Sequence, residues 1–204
     1  GVTIGGVPVG GKMSEAARTR VEAAFGRPLR LQFRDKHWRI SPRYLGASAG
    51  IDGAVAQALS ALPSTSVRLQ VSAAQPRIRR YVNRLDRLFS YEAVDTQVVG
   101  VAGGRPQFTE ATTGLTVEKA GMANAITRAL ASTNRRRPIE LIVSTVEPKV
   151  TPATYGPVVI IHRGSNRLSL FDGPTLVRRF GVATGSPQYP TPLGNHSIAT
   201  KQMN

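Results

Sequence analysis

The sequence has 204 residues, 41% of them apolar, and its 27 basic and 12 acidic residues give a formal net charge of +15. Arginine outnumbers lysine by 22 to 5, and cysteine is absent. A chain of this length and apolarity can bury the core of one large domain or two modest ones. The lack of cysteine excludes disulfides, zinc-thiolate sites and a thiol nucleophile within these residues. No apolar run reaches the length of a membrane-spanning helix.

The positive charge has three interpretations: a nucleic-acid footprint, attraction to an anionic surface or polymer, or a solvated arginine-rich surface. Basic residues are spread along the chain and are dense only at residues 77–87 and 135–137. They are accompanied by no basic motif interleaved with aromatic residues, and by no helix-turn-helix or zinc signature. Nucleic acid is therefore the least favoured partner, and we do not expect it.

Apolar spacing predicts alternating strands and helices through the first third of the chain. We expect Ser14 and Asp52 to cap two helices at their N-termini. In chain order, the predicted elements are a bent strand at 2–9, a helix at 15–25, strands at 29–33 and 38–40, a helix at 53–62 and a strand at 67–71.

The clearest helix signal in the sequence follows Pro76. Its apolar residues recur at i, i+3, i+4, i+7, i+10 and i+11, namely Ile78, Tyr81, Val82, Leu85, Leu88 and Phe89. Four arginines form a second stripe beside the apolar one: Arg77, Arg80, Arg84 and Arg87. This arginine stripe is either a solvated helix face or a surface that contacts anionic polymers or lipid headgroups.

The next segment repeats the order of the earlier elements. Its patterns predict strands at 96–101 and 106–109, a helix at 118–132 and a strand at 139–146. The order strand, turn, strand, Leu-Gly or Thr-Gly, then helix occurs in residues 31–62 and again in residues 98–130. We therefore predict an α+β module built from two repeated sheet-plus-helix half-units.

The character of the sequence changes after residue 146. A proline-rich stretch at 147–157 predicts a domain boundary. Strands are predicted at 158–161, 167–171 and 176–184, with Asp172-Gly173 as a hairpin turn signal. We therefore assign residues 1–152 to the α+β domain, 153–157 to a linker and 158–204 to an all-β segment.

The residue types that usually perform catalysis form no recognisable constellation. His37, His162 and His196 are far apart in the sequence, and no cysteine accompanies them. A serine nucleophile elbow and a phosphate-binding loop are both missing. Among the 12 acidic residues, no carboxylate pair stands out. We expect no metal site and no cofactor.

The C-terminal segment carries several spaced motifs. Leu168-Ser169-Leu170-Phe171 has the form LxLF/Y, Gly185 ends a strand of the form VxTG, and Thr191, Pro192 and Gly194 stand in a run of the form xTPxGxFxI. In that run, His196 replaces the usual aromatic residue. The combination resembles the start of the L,D-transpeptidase catalytic domain. The two prolines around Thr191 stiffen a turn, and Gly194 permits an unusual backbone angle.

The N-terminal segment also carries motifs. Its opening follows the pattern GVxIxGxxVGGxxxxEA at Gly1, Val2, Ile4, Gly6, Val9, Gly10, Gly11, Glu15 and Ala16. Later matches are Pro42, Leu45 and Gly46, then Pro148, Val150 and Thr151. The pattern resembles the peptidoglycan-binding domain that precedes the catalytic domain in L,D-transpeptidases of bacterial envelopes.

The resemblance implies a chemistry that these residues do not contain. In the family, a cysteine in a Ser-His-Gly-Cys run, assisted by an upstream histidine, attacks the peptidoglycan stem peptide between its third and fourth residues. Neither the run nor a matching histidine occurs here. We assign no catalytic residue and expect the 204 residues to be inactive alone.

Taken together, the motifs predict an extracytoplasmic protein of the bacterial cell envelope, anchored or secreted through a segment outside these residues. Peptidoglycan is the expected partner and anionic wall polymers are a further one. The alternatives are a non-catalytic module that binds peptidoglycan or wall polymers and, less favoured, a nucleic-acid-binding protein. We also expect the incomplete β domain to leave an unpaired strand edge.

Overall fold

The computed structural model describes residues 1–133, 137–198 and 200, so two arginines of the basic cluster at 135–137 lie outside the described residues. The described part has an α+β fold with four α-helices and six small sheets. The helices are α1 (Ser14–Gly26), α2 (Ile51–Leu59), α3 (Gln75–Phe89) and α4 (Lys119–Leu130). The strands are β1 (Thr3–Ile4), β2 (Val7–Pro8), β3 (Leu29–Phe33), β4 (Lys36–Ile40), β5 (Ala47–Ala49), β6 (Ser66–Val67), β7 (Val71–Ala73), β8 (Val98–Ala102), β9 (Arg105–Phe108), β10 (Gly114–Val117), β11 (Ile139–Glu140), β12 (Val143–Val146), β13 (Pro157–His162), β14 (Arg167–Asp172) and β15 (Thr175–Gly181).

The chain forms two compact units. Unit 1 comprises Gly1–Glu92 and Gly114–Val146, and unit 2 comprises Ala93–Thr113 and Glu147–Asn204. The β8–β9 hairpin therefore belongs with the C-terminal strands, although the sequence around it belongs to unit 1. The domain boundaries at 152 and 157 and the repeated half-units stay predictions, and the compact units divide the chain at other residues.

Unit 1 contains two clusters of buried apolar side chains. In the first, α3 and α4 pack with the three-stranded sheet β11-β3-β4 and with Leu45. β3 is the central strand, antiparallel to β4 and parallel to β11. In the second cluster, α1 and α2 pack with the sheet β2-β1-β6. Leu29 and Leu31 alternate with exposed or half-buried neighbours along β3, so the sheet turns one face to the core and the other to solvent.

α3 confirms the strongest sequence signal. Ile78, Tyr81, Val82 and Leu85 are buried in the first cluster, and Phe89 packs against it. Leu88 differs from the prediction, because 64% of it is exposed. At 100° per residue, position 88 lies at the border of the apolar stripe next to the arginines, which explains its exposure.

The helix caps differ from the prediction. Ser14 is the first residue of α1 and Asp52 the second of α2, while Met13 and Gly50 occupy the N-cap positions without a side-chain cap bond. α2 also ends three residues before the predicted end at Leu62. The predicted strand at 139–146 is two strands, because the chain leaves β3 after Glu140 and then pairs with β10.

Unit 2 confirms the predicted meander. β14 pairs antiparallel with both β13 and β15. The proline-rich stretch before it is ordered by hydrogen bonds, since the carboxylate of Asp95 accepts the backbone N–H groups of Lys149 at 2.6 Å and Val150 at 3.0 Å. A short 3₁₀ helix, Pro152–Thr154, follows.

The meander keeps an open strand at one edge. Within the described part, β15 pairs with β14 alone, and all seven of its residues are exposed. Ile160, Ser169 and Phe171 are the buried residues of the three strands. The described part of this segment is thus a single three-stranded sheet with an unpaired edge, as the sequence predicted, and not a closed sandwich.

The backbone conformation of Gly46, in the turn between β4 and β5, can be tested by substitution. Gly46 has φ +67°, and a Cβ there would lie 2.7 Å from Cβ of Ala74 and 2.8 Å from Cδ of Arg77. We expect Gly46→Ala to lower the free energy of unfolding by about 1–3 kcal/mol, because a left-handed backbone disfavours alanine and the start of α3 blocks the new methyl group. Urea unfolding followed by circular dichroism measures the change.

Gly53 supplies the matched control. It lies in α2, where a Cβ meets nothing within 4 Å. Gly53→Ala should raise the free energy of unfolding by about 0.5–1 kcal/mol, because alanine loses less backbone entropy in a helix. A Gly46→Ala variant as stable as the parent chain would contradict the fold described for this turn.

Candidate functional site

The arginine stripe lies on the exposed side of α3. Arg77, Arg80, Arg84 and Arg87 are all exposed, and the helix geometry places them within about 80° of one another around its axis. The stripe runs for about 15 Å along the helix. Burial of the apolar side against the first cluster fixes this orientation, so the four guanidinium groups face solvent together.

No carboxylate in the described part neutralises the stripe. The ion pairs there join Arg18 to Glu22 and Asp52, and Lys119 to Asp86. Asp86 is the one acidic residue of α3, and it lies on the other side of the helix. The stripe therefore presents four positive charges that no acidic side chain neutralises.

An aromatic residue borders one end of the stripe. The ring of Tyr44 meets the ring of Tyr81 edge to face, with a centroid distance of 6.2 Å, and Tyr44 is 56% exposed. Tyr81 lies one helical turn after Arg77, and its hydroxyl accepts a hydrogen bond from Nε1 of Trp38 at 2.8 Å. Burial raises the pKa of Tyr81 above its ordinary value. The phenol is thus a neutral structural group beside the arginines.

A polar network holds the C-terminal end of α3. Asp86 Oδ2 lies 2.6 Å from Nζ of Lys119, and its Oδ1 accepts a hydrogen bond from the Ser90 hydroxyl at 2.6 Å. The Ser90 oxygen accepts the backbone N–H of Val117 at 3.0 Å. The hydrogen bonds from Lys119 and Ser90 lower the pKa of Asp86. The network fixes the end of the helix against β10 and the start of α4.

The structure brings two of the four predicted family-motif residues together. Gly185 and Pro190 form an isolated antiparallel bridge, and the N–H of Thr191 donates to the carbonyl of Thr184 at 3.1 Å. Gly185 has φ +79°, and a Cβ there would collide with the carbonyl oxygen of Tyr189. Pro192 and Gly194 follow this turn as exposed chain. Gly185 and Thr191 thus shape a backbone turn, and Pro192 and Gly194 lie beyond it.

The three histidines lie on different segments of the chain. His37 is exposed on β4, and His196 is exposed beyond the turn at Gly185. The ring of His162, at the end of β13, lies near Gly104 in unit 2. Across the described ranges, no three His, Cys, Asp or Glu side chains group as metal ligands do. In the same residues, no helix combines the length and apolarity needed to cross a membrane.

Unit 1 has a second basic feature, which no sequence pattern predicted. A cleft of about 630 Å³ has Arg20, Arg27, Arg30 and Arg39 among its lining residues. These arginines come from a helix, the residue after it and two strands, so no single run of sequence contains them. The available signals were the seven-residue spacing of Arg20 and Arg27 and the cross-strand pair Arg30 and Arg39, and neither is conspicuous in a chain with 22 arginines.

Comparison with known proteins finds two solved structures of low similarity. One is an L,D-transpeptidase of Enterococcus faecium in its C442S mutant form, at 13% identity and a TM-score of 0.34, with 90% of this chain and 66% of that one covered. The other is the Ldtfm-avibactam carbamoyl enzyme, at 14% identity and a TM-score of 0.34, with 88% and 64% covered. This chain thus spans slightly less than two thirds of each. A TM-score this low does not establish a common fold. No protein-family model and no curated protein matches the sequence.

The pKa of Asp86 gives a pH-dependent prediction. A carboxyl group whose pKa is lowered by folding stabilises the protein above its unfolded pKa, and that stabilisation is lost as the pH falls through the folded pKa. We expect Asp86→Asn to melt at a lower temperature than the parent chain at pH 7. The difference should shrink steadily below about pH 4.

Melting curves recorded by circular dichroism across this pH range measure the effect. Asp52→Asn is the matched control, because its ion pair with Arg18 is exposed and should contribute little to stability. A difference for Asp86→Asn that does not change with pH would show that the carboxylate charge is not the stabilising feature.

Proposed function

We propose that this chain is a bacterial cell-wall protein related to the L,D-transpeptidases, that it acts outside the cytoplasm, and that unit 1 binds peptidoglycan through the arginine stripe. The observation behind the binding role is the set of four exposed arginines on one side of α3, none of them paired with a carboxylate in the described part. Unit 1 holds 20 of the 27 basic residues but 8 of the 12 acidic ones, so most of the excess charge lies in this unit.

The chemistry of the stripe suits a linear anionic polymer. Guanidinium groups bind carboxylates and phosphates in a bidentate manner and lose less hydration than ammonium groups. Four of them over about 15 Å can contact successive carboxylates of peptidoglycan stem peptides or phosphates of wall polymers. Tyr44 offers an exposed ring at the border for the apolar face of a sugar or peptide.

The motifs support a relationship to the L,D-transpeptidases, but they identify no residue that could catalyse peptidoglycan cross-linking. L,D-transpeptidases use a cysteine thiolate, and these 204 residues contain no cysteine. The residues that match the family motif, Gly185 and Thr191, shape a turn and present no nucleophile or base. The role we propose for these residues is therefore binding, and cross-linking activity would need a thiol from elsewhere.

A charge-removal experiment tests the binding role. We expect the variant with Arg77, Arg80, Arg84 and Arg87 replaced by Gln to bind insoluble peptidoglycan at least about tenfold more weakly, because each exposed charge contact contributes a few tenths to 1 kcal/mol. Co-sedimentation with purified peptidoglycan measures the affinity. Binding of the parent chain should weaken as salt rises.

The control variant removes the same charge from elsewhere, with Arg68, Arg128, Arg167 and Arg179 replaced by Gln; all four are exposed in the structure. It should keep most of the affinity. An equal loss of affinity in both variants would show that binding depends on net charge alone and not on the stripe. Unchanged binding by the stripe variant would refute the proposal. Duplex DNA that competes as well as soluble peptidoglycan fragments at equal salt would favour the nucleic-acid alternative.

A further inference from the structure

The arginine-lined cleft of unit 1 differs from the stripe in shape and in residues. It has a volume of about 630 Å³ and is bounded by α1, by β2 and by the β3–β4 pair. Arg20, Arg27, Arg30 and Arg39 line it, and all four are exposed to solvent. Cavities that hold small molecules commonly measure about 300–1,000 Å³, so a small ligand fits this volume.

Two local patterns place the arginines around the cleft. Arg20, Ala23 and Ala24 follow the i, i+3, i+4 spacing of one face of α1, and Arg27 is the residue that follows the helix. Arg30 and Arg39 are directly opposite each other in the antiparallel pair of β3 and β4. The short alanine side chains leave open space between the charged groups from the helix and those from the sheet.

Among the described residues, no Asp or Glu lines the cleft. The nearby carboxylate of Glu22 is paired with Arg18, and that of Glu140 accepts a hydrogen bond from Nε2 of Gln32 at 2.5 Å. Like charges directly opposite each other on neighbouring strands destabilise a sheet, so the pair Arg30 and Arg39 costs free energy unless an anion lies between them.

We propose that this cleft binds a small oxyanion with at least two negative charges, carried by phosphate or carboxylate groups. Planar guanidinium groups bind both kinds of oxyanion with paired hydrogen bonds. An anion in the cleft contacts Arg20 of α1 and the pair Arg30 and Arg39 of the sheet at once, and it relieves the repulsion between Arg30 and Arg39. The proposal goes beyond the binding of peptidoglycan by the stripe and does not depend on it.

Calorimetric titration of the 204-residue chain tests the proposal, with pyrophosphate as the phosphate probe and citrate as the carboxylate probe at constant ionic strength. We expect saturable binding of at least one probe and a rise in melting temperature with its concentration. Replacing both Arg30 and Arg39 by Gln should weaken binding at least tenfold. Without a probe, this variant should melt at the same temperature as the parent chain or higher, since the opposed charges are gone.

Arg68 and Arg128, two exposed arginines of unit 1 outside the cleft, replaced together by Gln, provide the control with equal charge loss. This control should bind like the parent chain. Preference for one probe identifies phosphate or carboxylate as the natural group. The proposal is overturned if neither probe saturates, or if both double variants lose affinity equally.

The two binding proposals fail in different ways. The variant with Arg77, Arg80, Arg84 and Arg87 replaced should keep its response to the oxyanion probes, and the variant at Arg30 and Arg39 should keep most of its binding to insoluble peptidoglycan. A probe response abolished by the stripe substitutions would place the oxyanion on α3 and refute the cleft as its site.

Discussion

The packing of α3 is the contact on which the first buried cluster of unit 1 and the arginine stripe depend. Its buried side chains meet the sheet of β3 and β4 together with α4 in one cluster. Around its end, Phe89 stacks on Trp38 at 5.3 Å and meets Phe33 edge to face at 5.4 Å. A buried Leu or Phe contributes about 1.5–3 kcal/mol, so this interface holds the helix in one rotation. That rotation places the arginine stripe in solvent and the network of Asp86 on the opposite side.

The small number of acidic residues leaves the surface of unit 1 strongly positive. With 8 carboxylates to 20 basic side chains, unit 1 is unable to pair most of its arginines internally. Charges separated by more than about 8–10 Å are screened by salt, but the stripe and the cleft each hold arginines closer together than that. We therefore expect an external anion to stabilise both surfaces. The stripe is open and linear, whereas the cleft is concave, so the first suits a polymer and the second a small ion.

Local patterns predicted the helices better than they predicted how the strands are assembled. The apolar spacing of α3 fixed its buried residues in advance, except for Leu88 at the border of the stripe. Capping was misjudged because Ser14 and Asp52 have the right chemistry but lie one or two positions inside their helices. Three features depend on contacts between residues that are distant in sequence. They are the change of strand partner after Glu140, the membership of β8 and β9 in unit 2, and the arginine-lined cleft. The spacing of apolar residues over a short stretch of sequence does not predict such contacts.

The residues behind the family resemblance and those behind the proposed binding are different sets. Gly46 and Gly185 match motif positions, and both have a positive φ at a place where a Cβ would collide with a neighbour. Their glycine identity is explained by backbone geometry alone, so these motif residues describe how the chain turns. The arginines of α3 and of the cleft belong to none of these motifs. The motif residues and the residues proposed to bind anions are therefore separate, so substitutions in one set test its role without altering the other.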